Sequence, residues 1–178
     1  MKNLILFLTL LRIISGPIIF FMIIFFQLNY VALFLFLIAS ISDYFDGMLA
    51  RAYNLESKLG AILDPIADKI LVLFLLLAIV VTVKDPFVAF MSSLILAREF
   101  WISALREYAS QDSNVSATKV TYLAKIKTSL QFSSISLYLA SFATGNSLLL
   151  FVSHFFLFLT VLITFQTAID YTKKFFMN

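Results

Sequence analysis

The chain has 178 residues, of which 62% are hydrophobic and only 13% are charged, and its mean hydropathy is +1.01. This composition excludes a soluble globular domain and indicates an integral membrane protein. The chain contains no cysteine, which excludes disulfides, thiolate metal sites and cysteine nucleophiles. Its net charge of +3 does not predict nucleic-acid binding, because the basic residues are distributed as membrane topology requires.

Six apolar segments, each long enough to cross or nearly cross a bilayer as a helix, follow one another along the chain. They cover residues 13–27, 31–49, 60–83, 86–105, 119–141 and 147–168. Barrel strands alternate in polarity and are shorter, so we predict an all-α integral membrane protein with six transmembrane helices. No repeat, flexible linker or change in composition divides the chain, and residues 1–178 are therefore predicted to form a single domain.

The basic residues predict the orientation of these segments. With six spans both termini lie on one side of the membrane. Twelve of the 13 Lys and Arg residues lie on that side or lean toward it, and only Lys84 falls in an opposite loop. The positive-inside rule then places both termini and the polar loops 51–58 and 107–119 in the cytoplasm. We expect a multi-pass protein of the cell's inner membrane.

The first residues form a mixed polar and apolar stretch ahead of the first span. Lys2, Asn3, Thr9 and Arg12 stand among Leu and Phe residues. This pattern predicts a short N-terminal helix that lies in the cytoplasmic interface and turns inward near Pro17. The alternative is that the same residues form the ragged end of the first span.

Four aspartates interrupt the second and third apolar segments as two pairs. Asp43 and Asp46 are three residues apart, and Asp64 and Asp68 are four apart, so each pair projects from one face of a helix. The short loop between the segments makes the helices antiparallel neighbours, which brings the pairs face to face. A charged side chain within a bilayer costs roughly 2.5 to 3.5 kcal/mol on the insertion scale, so four of them require compensation.

A divalent cation supplies that compensation. All-oxygen ligation favours Mg²⁺ or Mn²⁺ over zinc or copper. The small residues Gly47, Ala50 and Gly60 allow close helix packing or admit a ligand, and Arg51 can reach phosphate oxygens. The sequence therefore predicts chemistry on a phosphate with a bound metal. The alternative is that the four acids pair with nearby basic residues as a charged membrane boundary.

The spacing D-x2-D-G-x2-A-R-x8-G-x3-D-x3-D runs from Asp43 to Asp68 without a gap. It resembles the signature of the CDP-alcohol phosphatidyltransferases, membrane enzymes that join a CDP-linked alcohol to a second alcohol and release CMP. The resemblance implies a six-helix, usually homodimeric enzyme with a polar cavity open to the cytoplasm and two divalent ions. It also implies the role of each matching residue. The metal ligands would be Asp43, Asp46, Asp64 and Asp68, with Asp68 also the general base, and the nucleotide and its phosphates would contact Thr9, Gly47, Ala50, Arg51 and Gly60.

Basic residues in the fourth and fifth segments predict the acceptor alcohol. Arg98 and Arg106 are eight residues apart, roughly 80° around a helix and about 12 Å along it, so they can face one cavity. Lys125, Lys127 and Thr128 follow at the same side of the membrane. Such a pocket favours a phosphorylated acceptor over an uncharged or zwitterionic one. The alternative is that Arg98 and Glu99 neutralise internal partners, while the lysines only follow topology.

The segments AREFWISALREYA and LAKIKTSLQ resemble those of the family branch that transfers a phosphatidyl group from CDP-diacylglycerol to glycerol 3-phosphate. That branch commonly has N-I-P-N near its start, and Asn3-Leu4-Ile5-Leu6 departs from this pattern. Other acceptors of the family remain alternatives: inositol phosphate, serine and phosphatidylglycerol. A metal-ion transporter is an alternative from another class, since intramembrane carboxylates also mark ion paths. The single histidine, His154, is predicted to serve packing rather than catalysis.

Overall fold

A computed structural model of the chain describes residues 2–52, 58–111 and 122–176, with side chains described for 7–42, 60, 62–108 and 126–173. These residues form six α-helices. They are α1 (Lys2–Ile24), α2 (Asn29–Ala52), α3 (Lys58–Val83), α4 (Pro86–Gln111), α5 (Tyr122–Thr144) and α6 (Ser147–Phe176). The all-helical fold predicted from composition is confirmed for the described part of the chain.

Four stretches of these helices are long and apolar enough to cross a membrane. They are Phe7–Ile24, Ile62–Val83, Pro86–Tyr108 and Ser147–Lys173, and Asn29–Ser42 is a shorter apolar stretch. At 1.5 Å per residue, a stretch of 18 residues or more spans about 27 Å or more, close to the hydrocarbon thickness of a bilayer. The chain is therefore a helical membrane protein with several candidate spans, and six crossings stays a prediction.

Helix α1 corrects the expectation of a separate interfacial helix. Residues 2–24 form one α-helix with Pro17 inside it, instead of a short helix that ends near the proline. A proline in a helix interior removes one backbone hydrogen bond and strains one turn. The many leucine residues ahead of Pro17 favour the helical conformation. Contacts between α1 and α3 on both sides of Pro17 stabilise the continuous helix.

The close approach of α1 and α3 depends on a glycine. Gly16 is buried, and a Cβ added there would lie 3.2 Å from the Cα of Leu71 and 3.3 Å from the carbonyl oxygen of Ile70. A side chain at this position would push the backbone of α3 away by a few tenths of an ångström. Further along, the rings of Phe20 and Phe74 meet edge to face with centroids 6.0 Å apart.

Two-residue turns join helices at one end of the bundle. Lys84 and Asp85 connect α3 to α4, and Gly145 and Asn146 connect α5 to α6. The side-chain oxygens of Asp85 and Asn146 each accept the backbone N–H two residues later, at 2.8 and 2.9 Å, as N-caps do. Lys84 and Gly145 have φ of 55° and 66°, the left-handed conformation that ends many helices. We call this end of the bundle the turn end.

The opposite end, which we call the polar end, brings together the predicted site residues. Because α1 and α3 run parallel, α4 and α6 run parallel, and the helices joined by short turns are antiparallel, the N-terminal parts of α1, α3 and α5 meet the C-terminal parts of α2, α4 and α6. Between the two ends lies an apolar core drawn from all six helices, including Ile19, Phe36, Leu75, Ile95, Leu139 and Leu157. The core fixes the helix register that positions the polar end.

Candidate active site

Two aspartates of helix α3 are held by side chains of helix α1. Thr9 donates a hydrogen bond from Oγ1 to Oδ1 of Asp64 at 2.8 Å. Arg12 Nη1 donates to Oδ1 of Asp68 at 3.1 Å, and the pair is also a salt bridge. The Arg12 side chain is 1% exposed, whereas that of Asp68 is 38% exposed. The Asp68 carboxylate is therefore accessible, whereas the α1 side chains that donate to the two aspartates are buried.

These contacts give one predicted residue a protein partner and add one residue to the site. The family resemblance implies that Thr9 contacts the nucleotide, and this contact stays a prediction. The structure shows that the Thr9 hydroxyl donates to the Asp64 carboxylate. Sequence reasoning missed Arg12 as a site residue, because we assigned its charge to membrane topology. The available signal was an arginine three residues after a threonine in an otherwise apolar stretch, a spacing that puts both side chains on one helix face.

Helix α2 supplies the other half of the predicted aspartate site. The helix continues to Ala52 and so passes through all the predicted site positions of this segment. The side chains of Asp43, Asp46, Gly47, Ala50 and Arg51 lie outside the described residues, and their predicted roles stay predictions. Gly60, in the first turn of α3, is buried, as a position close to a neighbouring helix or ligand requires.

The described side chains do not by themselves form a metal centre. Among them, no three Asp, Glu or His residues come close enough together to hold a metal ion. Asp64 and Asp68 do provide carboxylate oxygens one helical turn apart, the donors that Mg²⁺ and Mn²⁺ prefer. The donor set thus fits a hard divalent cation, and completing it would require the aspartates of α2.

A second polar group connects helices α4, α5 and α6. Arg98 donates from Nη2 to Oγ1 of Thr167 at 2.8 Å and from Nη1 to Oε1 of Glu99 at 3.3 Å. The same Glu99 oxygen forms a salt bridge with Nζ of Lys127. The side chains of Arg98, Glu99 and Lys127 are 7%, 17% and 9% exposed. Burial in a low dielectric makes these charges depend on one another, because unpaired charges are costly there.

Arg106 lies about two turns after Arg98 in α4. It donates from Nη2 to the hydroxyl of Tyr171 at 3.0 Å, and its guanidinium carbon is 5.0 Å from the centre of the Tyr171 ring, a cation–π distance. We call Arg98, Glu99, Arg106 and Lys127 the basic cluster. Its three cations and one carboxylate leave a surplus of two positive charges.

The structure thus brings three of the predicted acceptor residues into one region. Lys127 meets Arg98 through Glu99, and Arg106 acts electrostatically on both Arg98 and Lys127. Thr128, the next residue of α5, is exposed. The side chain of Lys125 lies outside the described residues. Contact of any of these residues with an acceptor stays a prediction.

The basic cluster neighbours the aspartates through helix α3. Lys69 directly follows Asp68, and its charge acts on Glu99 of the cluster. Helices α3 and α4 are also in contact. A group of carboxylates and a group of mainly positive charges thus share the polar end.

An apolar groove lies on the other side of Arg98, between α4 and α6. It has a volume of about 470 Å³ and is lined by Leu94, Ala97, Arg98, Trp101, Phe165, Ala168, Ile169, Thr172 and Lys173. The indole N–H of Trp101 donates to Thr172 Oγ1 across it at 3.2 Å. Because the lining is largely apolar and includes neither Asp64 nor Asp68, the groove suits a hydrocarbon chain better than a polar reactant.

His154 lies at the turn end, away from the aspartates. Its Nδ1 donates to the carbonyl of Leu150 at 2.6 Å, and its Nε2 is 3.4 Å from a carboxylate oxygen of Asp85. The ring packs against those of Tyr138 and Phe87, with centroids 5.5 and 6.3 Å apart. These contacts support the packing role predicted for this residue.

Comparison with known proteins identifies the family. A family model described as CDP-alcohol phosphatidyltransferase matches residues 2–166, which is most of the chain. The chain belongs to the CDP-alcohol phosphatidyltransferase family. The resemblance expected from the aspartate spacing is therefore confirmed.

Several relatives of this CDP-alcohol phosphatidyltransferase carry the name CDP-diacylglycerol–glycerol-3-phosphate 3-phosphatidyltransferase. The protein of that name from Rickettsia typhi is 39% identical over 97% of this chain and 97% of its own length. The one from Rickettsia prowazekii is 39% identical over 97% of this chain and 94% of its own. The one from Cereibacter sphaeroides is 41% identical over 73% of this chain, and the match spans only 60% of the relative's length.

Proposed function

We propose that this chain transfers the phosphatidyl group of CDP-diacylglycerol to glycerol 3-phosphate, giving phosphatidylglycerol phosphate and CMP. One observation carries the proposal: relatives named for this reaction align with the chain over almost the full length of both proteins. The surplus of positive charge in the basic cluster agrees with it, because glycerol 3-phosphate brings a phosphate dianion.

Asp43, Asp46, Asp64 and Asp68 would hold two divalent ions, Mg²⁺ or Mn²⁺, in this proposal. The described half of the site supports it, since Asp64 and Asp68 present oxygens one turn apart on α3 beside a buried cation. Bound ions would stabilise the negative charge that develops on the departing CMP. Arg51 would contact the phosphates, and Gly47, Ala50 and Gly60 would line the cytidine pocket.

Asp68 acts as the general base. Its carboxylate takes the proton of the acceptor hydroxyl as the hydroxyl oxygen forms a bond to the phosphorus attached to diacylglycerol. The bond from that phosphorus to the oxygen of CMP breaks, and CMP leaves with the electron pair. The 38% exposure of the Asp68 side chain supports this role, because a base must be within reach of the substrate.

The basic cluster binds the phosphate of the acceptor. Arg98, Arg106 and Lys127 offer charge-assisted donors, with Lys125 and Thr128 beside them on α5. Glu99 holds Arg98 and Lys127 in place and neutralises one of the three charges. A neutral acceptor would leave the remaining positive charge without compensation in a buried site, which is unfavourable.

The proposed enzyme is a homodimer in the cell's inner membrane, with residues 1–178 as one domain crossing the membrane six times. The polar end faces the cytoplasm, since most Lys and Arg residues lie toward that end. CDP-diacylglycerol enters from the bilayer, and glycerol 3-phosphate enters from the cytoplasm.

The proposal is tested by measuring CMP release from the detergent-purified protein with CDP-diacylglycerol and Mg²⁺ or Mn²⁺. Glycerol 3-phosphate, inositol phosphate, serine and phosphatidylglycerol are added separately, and EDTA serves as the metal-free control. We expect release that depends on glycerol 3-phosphate and on the metal. Release with another acceptor would refute the assignment of the basic cluster, and no release with any acceptor would refute the enzymatic proposal.

A further inference from the structure

Helix α1 contacts the aspartate site at both of its described carboxylates. Thr9 and Arg12 are one turn apart, Asp64 and Asp68 are one turn apart, and the parallel helices pair them in order. In each pair the α1 side chain donates to the Oδ1 atom. Two donor–carboxylate contacts at successive turns, one from a hydroxyl and one from a guanidinium, indicate a row of donors on α1 that faces a row of carboxylates on α3.

We propose that Thr9 and Arg12 are positioning residues, which orient the carboxylates of Asp64 and Asp68 for the reaction. This inference rests on the proposed function for the roles of the two aspartates. It goes beyond that function by assigning a task to α1, whose residues the site chemistry does not otherwise use. It also gives Thr9 a task besides the predicted contact with the nucleotide, namely a contact with a proposed metal ligand.

The physical reason lies in the freedom of an aspartate side chain. Rotation about χ2 of Asp is broad rather than fixed in one rotamer, so an unsupported carboxylate would lose entropy when it binds a cation. A donor on Oδ1 restricts this rotation in advance and thereby aims the second oxygen. Hydrogen-bond partners that orient metal ligands typically change metal affinity or activity 10- to 100-fold when they are mutated.

The two residues act by different means. Thr9 is neutral, so its removal changes the orientation and hydrogen bonding of Asp64 and leaves the formal charge of the site unchanged. Arg12 orients Asp68 and also brings a buried positive charge, which offsets part of the repulsion among neighbouring carboxylates. Removing Arg12 would therefore change both geometry and charge, and the Thr9 contact gives the cleaner test of positioning.

A purely structural role, in which the same contacts only fasten α1 to α3, makes a different prediction. Gly16 and the Phe20–Phe74 ring contact already hold the helices together. If Thr9 only adds to this adhesion, its loss lowers thermal stability and leaves the metal affinity of the folded protein unchanged. Mn²⁺ affinity therefore separates the two roles.

The experiment compares Mn²⁺ binding by wild type, Thr9→Val and Thr9→Ser, measured by calorimetric titration without substrate. Valine keeps the shape of threonine and removes the donor, whereas serine keeps the donor. Thr160→Val is the matched control: Thr160 is fully buried, and its hydroxyl bonds only within α6, to the Phe156 carbonyl. We expect about 10-fold weaker Mn²⁺ binding for Thr9→Val, and wild-type affinity for the serine variant and the control.

Arg12→Lys gives an independent measurement in the full reaction. Lysine keeps the charge but lacks the planar guanidinium, so Asp68 is less well oriented. We expect kcat to fall about 10-fold or more, with the KM for CDP-diacylglycerol within about twofold of wild type. If Arg12→Lys does not fold, the Mn²⁺ affinities of Thr9→Val and Thr9→Ser alone test the positioning role.

Wild-type Mn²⁺ affinity in Thr9→Val would overturn the positioning role, and so would an equal loss in Thr160→Val. Absence of Mn²⁺ binding by the wild-type protein would overturn the metal site and the positioning role together. Because the titration contains no acceptor, its outcome is separate from the proposed function: a wild type that binds Mn²⁺ but transfers nothing to glycerol 3-phosphate refutes only the latter.

Discussion

Gly16→Ala tests whether the distance between α1 and α3 sets the geometry of the aspartates. The added Cβ would lie 3.2 Å from the Cα of Leu71, whereas two carbon atoms in unstrained contact are at least about 3.5 Å apart. The neighbouring atoms are backbone, so no side chain can rotate away. We therefore expect α1 to move from α3 by about 0.3 Å.

That displacement is large on the scale of the contacts with the aspartates. If α1 moves as a rigid helix along the direction of these bonds, the Thr9–Asp64 distance of 2.8 Å and the Arg12–Asp68 distance of 3.1 Å lengthen to at most about 3.1 and 3.4 Å. At these lengths both exceed the usual upper limits of about 3.0 Å for O–H···O and 3.2 Å for N–H···O bonds. We expect Mn²⁺ affinity to fall about three- to tenfold, although no polar group has been removed.

The stability of Gly16→Ala should change less than its metal affinity. Overpacking costs about 1 to 3 kcal/mol, and alanine in place of glycine returns about 1 kcal/mol of helix propensity. The net loss is about 0 to 2 kcal/mol. Ile135→Val, in the core of α5, costs about 0.5 to 1.5 kcal/mol and serves as the stability-matched control for the titration. Unchanged Mn²⁺ affinity in Gly16→Ala, or an equal loss in the control, would refute the reasoning.

Three further predictions concern the base, the acceptor and the turn end. Asp68→Asn should abolish CMP release in the acceptor assay while CMP still binds in a calorimetric titration; near-normal turnover would remove Asp68 as the base. Arg106→Ala should raise the KM for glycerol 3-phosphate about tenfold or more, since a hydrogen bond to a charged group contributes about 1.5 to 3 kcal/mol, and an equal rise in the KM for CDP-diacylglycerol would contradict its place in the acceptor site. Lys84→Gly should raise the thermal midpoint in detergent and Gly145→Ala should lower it, because each left-handed non-glycine residue costs about 1 to 2 kcal/mol; a shift of the same sign in both would show that backbone conformation does not govern these turns.

Much of the fold could be predicted from local sequence features. Long apolar segments fix the helices, and Asp85 with Pro86 marks the start of α4 as an N-cap followed by proline at the first helical position. The continuity of α1 through Pro17 could not be predicted in this way. The outcome depends on packing against α3, a helix whose contact with α1 is set by residues more than 50 positions away.

The candidate site was predictable where its residues repeat at helical spacing. Asp64 and Asp68 lie on one face of α3, and Arg98 joins Lys127 at the polar end as the basic residues indicated. The partners that hold them were not predictable, because Glu99 and Arg12 bind groups on other helices. A charge within an apolar segment signals that a partner exists, but the sequence alone does not identify it.

The pairing of α1 with α3 has a consequence for biogenesis. Arg12 leaves the ribosome 56 residues before Asp68, and at about 5 to 20 residues per second this interval is about 3 to 11 s. During that time the first helix carries a positive charge that raises the free energy of membrane insertion by up to about 2.5 to 3.5 kcal/mol. We therefore expect the first helix to be held more firmly in the membrane once the third helix has been synthesised, and a chain truncated before Asp68 to be held less firmly.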